Sequence, residues 1–234
     1  PTRLLAMVDA SVGGKVGVNL PQGKNLVGAF YQPDMVVIDT ECLSTLPARE
    51  MRCGLAECIK HGVIRDESLF NWIDANLEHI MDLDSAALVE LIHRNVQIKA
   101  DVVMADEKES GERAHLNFGH TFAHAIEATQ GFGVYHHGEA VSLGMVAASH
   151  LAADLGSCAR EVYIQLVKLL KRVGLPTRTE NLPSTKALME AMKLDKKVQS
   201  DTIRLILPDR MGTVSIVNDT PTEAIARAWD ALRS

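Results

Sequence analysis

Apolar positions recur along the chain with two different periods, and the change falls near residue 47. Before it, Leu4-Leu5-Ala6-Met7-Val8 and Met35-Val36-Val37-Ile38 are unbroken apolar runs of strand length, bounded by Gly, Asp and Pro. Between them, Ser11 to Gly28 is rich in glycine and asparagine and predicts loops or a hairpin. After Pro47, helical spacing takes over. Leu55, Cys58, Ile59 and Val63 define one face of a helix over Arg49 to Ile64, a reading weakened by Gly54 and Gly62. Asp84 is placed to cap a longer helix whose apolar face carries Leu88, Leu91, Val96, Ile98, Val102 and Val103.

Further helices are predicted over Asn117 to Thr129, Glu139 to Leu155, Ala159 to Val173 and Thr222 to Leu232. The second of these is apolar nearly all round and rich in Ala, Gly and Ser, so it belongs in a core with close helix approach. The third stops at Gly174 and Pro176. Thr202 to Leu207 and Thr213 to Val217 predict a hairpin around Asp209 to Gly212. The expected fold is mostly α, a multi-helical domain over 48–234 preceded by a short β-rich piece over 1–47. A few lone strands cannot cover both faces of a sheet, so that piece reads as the end of a larger α/β domain. Pro1-Thr2-Arg3 reads as neither a signal peptide nor a natural start.

Composition narrows the function. A net charge of -6 and the lack of a basic block argue against nucleic acid. No apolar run approaches the roughly 18 residues of a membrane span. Four cysteines (Cys42, Cys53, Cys58 and Cys158) form no C-x-x-C pair and read as reduced thiols of a cytoplasmic protein.

Histidine carries the chemistry. Five of the nine lie between 115 and 137: His115, His120, His124, His136 and His137. His120 and His124 are spaced i, i+4, so a helix turns both imidazoles the same way, as paired metal ligands often are. His136 and His137 follow a loop marked by Gly131 and Gly133 and are placed to fold back; a carboxylate would suit as a third ligand. Glu57, Lys60 and His61 share a helix face at i, i+3 and i+4, which alone describes an ordinary surface ion pair. Gly13-Gly14-Lys15 and Gly23-Lys24-Asn25 set a cation beside glycines that let backbone amides approach an anion. Neither is a Walker A loop, and Gly131-Phe132-Gly133 lacks the third glycine of a dinucleotide fingerprint. Spacing alone therefore reaches a metal-dependent enzyme acting on an anionic small molecule.

Taken in order, the segments resemble the 3-dehydroquinate synthase family over almost the whole chain. They are Val8 to Asn19 (VDASVGGKVGVN), Gly23-Lys24-Asn25 with Gly28 to Pro33, Gly54 to Lys60 (GLAECIK), Leu116 to Glu127 (LNFGHTFAHAIE) and His137 to Val141. The resemblance implies a zinc or cobalt ion held by Glu57, His120 and His137, the last preferred to His136 because it directly precedes Gly138-Glu139. It implies catalytic roles for Lys15, Lys60, Glu109, Arg113, Asn117 and His124. Substrate contacts would come from Asp9, Lys15, Asn25, Lys60, Lys99, Arg113, Asn117, His124 and Lys197, or its neighbour Lys196. NAD contacts would fall on Thr2, Arg3, Lys15, Lys24 and the Cys42-Leu43-Ser44-Thr45 turn, with Arg3 where a second threonine is common. His61 stands where the family often has tyrosine.

The implied reaction converts the sugar phosphate 3-deoxy-D-arabino-heptulosonate 7-phosphate to 3-dehydroquinate and phosphate, by NAD-dependent oxidation, phosphate elimination, reduction and intramolecular aldol closure. The shikimate pathway, a homodimer and a cytoplasmic setting are implied with it, as is an N-terminal NAD-binding domain of which only the last part is present. Related cyclases of other sugar phosphates, metal-dependent polyol dehydrogenases and a metal-binding relic without activity are the rival readings. A relic would have no use for Glu57, Lys60, Arg113, Asn117 and His124 together.

Overall fold

The computed structural model describes residues 1–20, 23–107, 111–131, 134–195 and 203–234, with the side chains of 19, 20, 23–26 and 195 left aside. Two helices form its centre. One is α1, Ala48–Arg65, buried along nearly its whole second half, polar residues included. Helices α2, Glu67–Ala75, and α3, Leu77–Met81, follow it, and then α4, Ser85–Ala105, runs back beside it. Asp66 caps α2 by accepting the Leu69 N–H, and Asp84 caps α4 by accepting that of Ala87, as its position predicts.

A 3-10 turn, Glu112–Asn117, leads through Gly119 into α5, His120–Gln130. The second central helix is α6, His137–Asp154, buried on every side between α1, α5, α7 (Arg160–Val173) and α9 (Thr222–Asp230). Helix α7 ends where Gly174 turns left-handed at φ 82°. Helix α8, Thr185–Asp195, packs on α5 and α9. Two antiparallel hairpins complete the fold: β1 (Lys15–Leu20) with β2 (Gly23–Phe30), and β3 (Leu205–Arg210) with β4 (Thr213–Val217).

Small residues let the central helices touch. A Cβ on Gly138 would stand 2.3 Å from the Cys53 carbonyl oxygen, so the first turn of α6 lies directly on the α1 backbone. A Cβ on Gly144 would meet the Gly119 carbonyl oxygen at 2.1 Å, bringing α5 equally close.

The first apolar run is a correction. Leu4 to Ala10 is helical, with a π-helical turn over Ala6–Ala10 wedged between α1 and α4, and Leu4, Met7 and Val8 are fully buried. A short apolar run serves a buried helix as well as a buried strand, and burial against two helices selects the former. Met35 to Ile38 forms no strand either; Met35 and Val37 are exposed, and the segment has no ladder partner among the described residues. Thr40–Thr45 is a 3-10 helix rather than a simple turn. The Ser11 to Gly28 stretch does contain the hairpin.

Candidate active site

Helices α1 and α5, the π-helical turn, the Glu112–Asn117 turn and the β1–β2 hairpin enclose a cleft of about 820 Å³. Asp9, Lys15, Lys60, Lys99, Arg113, Asn117 and His120 all line it. Each has a structural reason to be there. The π-turn widens the helix at Asp9 and carries its carboxylate into the cleft, where the Lys99 ammonium of α4 pairs with it. Burial opposes the Asp9 carboxylate, yet Lys60 and Lys99 hold its pKa below the usual value. Burial outweighs the same partnership at Lys99 and lowers its pKa. Arg113 donates to the Gly13 carbonyl and to the Glu107 carbonyl, each at 2.6 Å, and so ties two loops together at the cleft wall.

At the foot of the cleft lies the cluster Glu57, His120 and His137, one potential ligand atom from each within 4.8 Å of the others. Nε2 of His120 is 3.7 Å, and Nε2 of His137 3.6 Å, from Oε1 of Glu57. Gly119, left-handed at φ 78°, ends the preceding turn and sets His120 at the first position of α5. His120 Nδ1 faces the Phe118 carbonyl at 3.1 Å, and His137 Nδ1 faces Glu127 Oε1 at 3.4 Å. Both rings thus have a partner on Nδ1 and turn Nε2 toward Glu57, the arrangement that metal-binding imidazoles adopt. His136 points elsewhere, to Glu50 at 3.1 Å.

The donor set fits a divalent cation. Glu57 is fully buried, and although the Lys60 ammonium is in ion-pair contact with Oε2, neither carboxylate oxygen has an aligned hydrogen-bond donor. Burial works against its charge, but Lys60 and His137 prevail and hold its pKa well below the ordinary carboxylate range. Burial, reinforced by Lys60, pushes His120 down to about 3 and keeps it neutral. At His137 burial is overcome by Glu127 and Glu57, and its pKa rises to about 9.

The other expected residues fall into three groups. His124 stands one turn behind His120, its ring edge-on at a centroid distance of 5.7 Å, and is not among the residues lining the cleft. Thr2, Arg3 and Cys42 to Thr45 do not line it either: Arg3 pairs with Glu50, Leu43 is buried in the core, and the Ser44 hydroxyl donates to the Glu41 carbonyl. The side chains of Lys24 and Asn25, together with Glu109, Lys196 and Lys197, lie outside the described residues. Two residues without an assigned role adjoin the site. Glu127 orients His137, and its i+7 spacing from His120 is the sequence signal for it. His61 lies beneath the cleft against Asn95, and burial, with Lys60, pushes its pKa down to about 4.

A helical domain with a buried carboxylate and two half-buried imidazoles below a cleft lined by cations has the donor set for a divalent metal beside an anionic ligand. Residues 54–198 match the family model described as 3-dehydroquinate synthase C-terminal, and residues 1–53 match that described as 3-dehydroquinate synthase N-terminal. The chain belongs to the 3-dehydroquinate synthase family. It is 50% identical over 234 residues to the 3-dehydroquinate synthase of Vibrio atlanticus (strain LGP32), covering 100% of this chain and 65% of that protein. With the 3-dehydroquinate synthase of a Synechococcus species the identity is 47% over 234 residues, covering 99% of this chain and 64% of the relative.

Among solved structures, a 2-epi-5-epi-valiolone synthase from Streptomyces hygroscopicus subsp. jinggangensis, with NAD+ and Zn2+ bound, superposes at TM-score 0.90. That pair shares 27% identity over 99% of this chain and 64% of the other. A 2-deoxy-scyllo-inosose synthase complexed with carbaglucose-6-phosphate, NAD+ and Co2+ superposes at 0.87 with 25% identity, over 98% of this chain and 65% of its own. The chain thus spans less than two thirds of the length of the curated relatives it matches.

Proposed function

We propose that the chain carries the metal- and substrate-binding part of a 3-dehydroquinate synthase, which converts 3-deoxy-D-arabino-heptulosonate 7-phosphate to 3-dehydroquinate and phosphate. One observation carries the reading: the cations Lys15, Lys60, Lys99 and Arg113 converge on one cleft with the Glu57–His120–His137 triad at its foot. Near 50% identity to named 3-dehydroquinate synthases favours this substrate over those of the more distant cyclases.

In this reading Glu57, His120 and His137 hold Zn2+ or Co2+, and residues 1–47 complete an NAD-binding domain to which Thr2, Arg3, Lys15, Lys24 and Cys42 to Thr45 contribute. When bound, the metal would supply Lewis acidity and NAD a reversible store for a hydride. The chain's own groups do the rest. Asp9 orients a substrate hydroxyl. Lys15, Lys60, Lys99, Arg113, Asn25 and Lys197 bind the carboxylate and phosphate through charge-assisted hydrogen bonds. Asn117, His124 and Glu109 take the remaining catalytic roles that the family resemblance implies. Residues 48–234 form the domain that supplies the metal and most of these contacts, and the enzyme works as a cytoplasmic homodimer.

The test is phosphate release from 3-deoxy-D-arabino-heptulosonate 7-phosphate with added NAD and Zn2+, run beside sedoheptulose 7-phosphate. Turnover of the first without net NADH supports the proposal. Turnover of the second alone, or stoichiometric NADH, would overturn it.

A further inference from the structure

His61 is fully buried on α1 and lies next to the candidate site without belonging to it. Its Nδ1 is 2.9 Å from Asn95 Oδ1, and Asn95 Nδ2 donates to the Leu91 carbonyl at 2.7 Å. The donor end of the amide is thereby committed, and the end facing the ring is an acceptor. Nδ1 of a neutral His61 therefore carries the proton, and Nε2 presents a lone pair. Nε2 is buried, and no group of the described residues hydrogen-bonds to it.

A ring nitrogen of His61 lies within 4.8 Å of a carboxylate oxygen of Asp9 and of one of Glu57. With Nδ1 turned to Asn95, Nε2 is the nitrogen left to face this group, and three acceptors there are unfavourable unless a donor stands between them. A second divalent cation does not suit the place. Asp9 is already paired with Lys99, and Glu57, besides its pair with Lys60, is given to the first metal, so a second divalent cation would add two positive charges beside the first without a free carboxylate to offset them. A neutral donor with two protons suits it.

We infer that His61 is a positioning residue. Its Nε2 anchors one ordered water, which donates one proton to the ring and the other to the Asp9–Glu57 carboxylate pair. The water couples the metal-ligating carboxylate to the carboxylate in the cleft wall, and Asn95 sets the ring's tautomer from behind. This rests on the proposed function only in giving Glu57 to a metal.

The experiment reads the ring and the metal rather than turnover, so it stands apart from the choice of substrate. Nitrogen-15 NMR of the wild-type imidazoles should show His61 as the Nδ1–H tautomer, and a high-resolution crystal structure should show water on Nε2. Co2+ affinity should fall about tenfold or more in His61→Leu, by analogy with other losses beneath a metal ligand, and recover in His61→Gln, which keeps a distal polar group. An Nε2–H tautomer, a metal ion on Nε2, or His61→Leu binding Co2+ as well as wild type would each overturn the inference. Should His61→Leu not fold, the tautomer and the wild-type crystal structure decide alone.

Discussion

His137 Nδ1 meets Glu127 Oε1 at 3.4 Å across the gap between the first turn of α6 and the third turn of α5, while Nε2 of the same ring faces Glu57. The carboxylate behind the ring fixes which nitrogen is offered to a cation and increases its basicity. Glu127→Ala should weaken Zn2+ or Co2+ binding by about 10- to 100-fold at unchanged stoichiometry. Competition with a chromophoric chelator measures it. Unchanged affinity would mean that helix packing alone orients His137.

In the proposed metal site Glu57 supplies the carboxylate, fully buried and with Lys60 as its ion-pair partner. Glu57→Gln keeps the shape and removes the charge. It should abolish the tight equivalent of metal while circular dichroism stays that of the wild type. A variant that still holds one tight equivalent would move the metal away from this triad.

Gly138 couples packing to the site. Its Cα lies so close to Cys53 that an added Cβ would stand 2.4 Å from the Cys53 Cα, and backbone cannot rotate aside as a side chain can. Gly138→Ala should destabilise the fold by about 1–3 kcal/mol or more and carry His137 away from Glu57. Thermal melting and metal stoichiometry should fall together. A variant that melts lower yet binds metal normally would show that α6 adjusts without moving its first residue.

Much of this was legible in the residues, and what escaped did so for identifiable reasons. Helices α4 and α7 carry their caps and stops in the chain: Asp84 binds the Ala87 N–H, and Gly174 turns left-handed as a helix terminator should. The i, i+3 spacing of Glu57 and Lys60 is that of one helix face, and both are in the site. Leu4 to Val8 went the other way because a run without a polar residue has no period to report. Helices α2 and α3 are too short, at 9 and 5 residues, to show a period against their polar neighbours. Spacing could not decide between His136 and His137, since adjacent residues at a helix start point about 100° apart and only the packing of α6 on α1 says which faces Glu57. His61 read as half of a surface pattern because nothing in its spacing reveals that α1 is buried on that side as well.

Asp66 offers a test away from the site. Its carboxylate accepts the Leu69 N–H at the start of α2 and receives Arg94 at 2.8 Å. Burial works against the charge, but Ser68, Arg94 and the Leu69 N–H outweigh it and lower the pKa. A depressed carboxylate stabilises the fold above its unfolded value, about 3.9, and loses that contribution as pH falls through the lower folded value. Asp66→Ala should therefore cost about 0.5–2 kcal/mol at pH 7, most of it from the cap, since a partly solvated pair with Arg94 adds little. Urea unfolding at pH 7 and again near pH 3 should show the gap between wild type and variant narrowing in acid. A gap that is the same at both pH values would mean that the capping bond survives protonation and that the charge contributes nothing. A gap that narrows equally in 1 M salt would assign the effect to the local hydrogen bonds rather than to the screened attraction of Arg94.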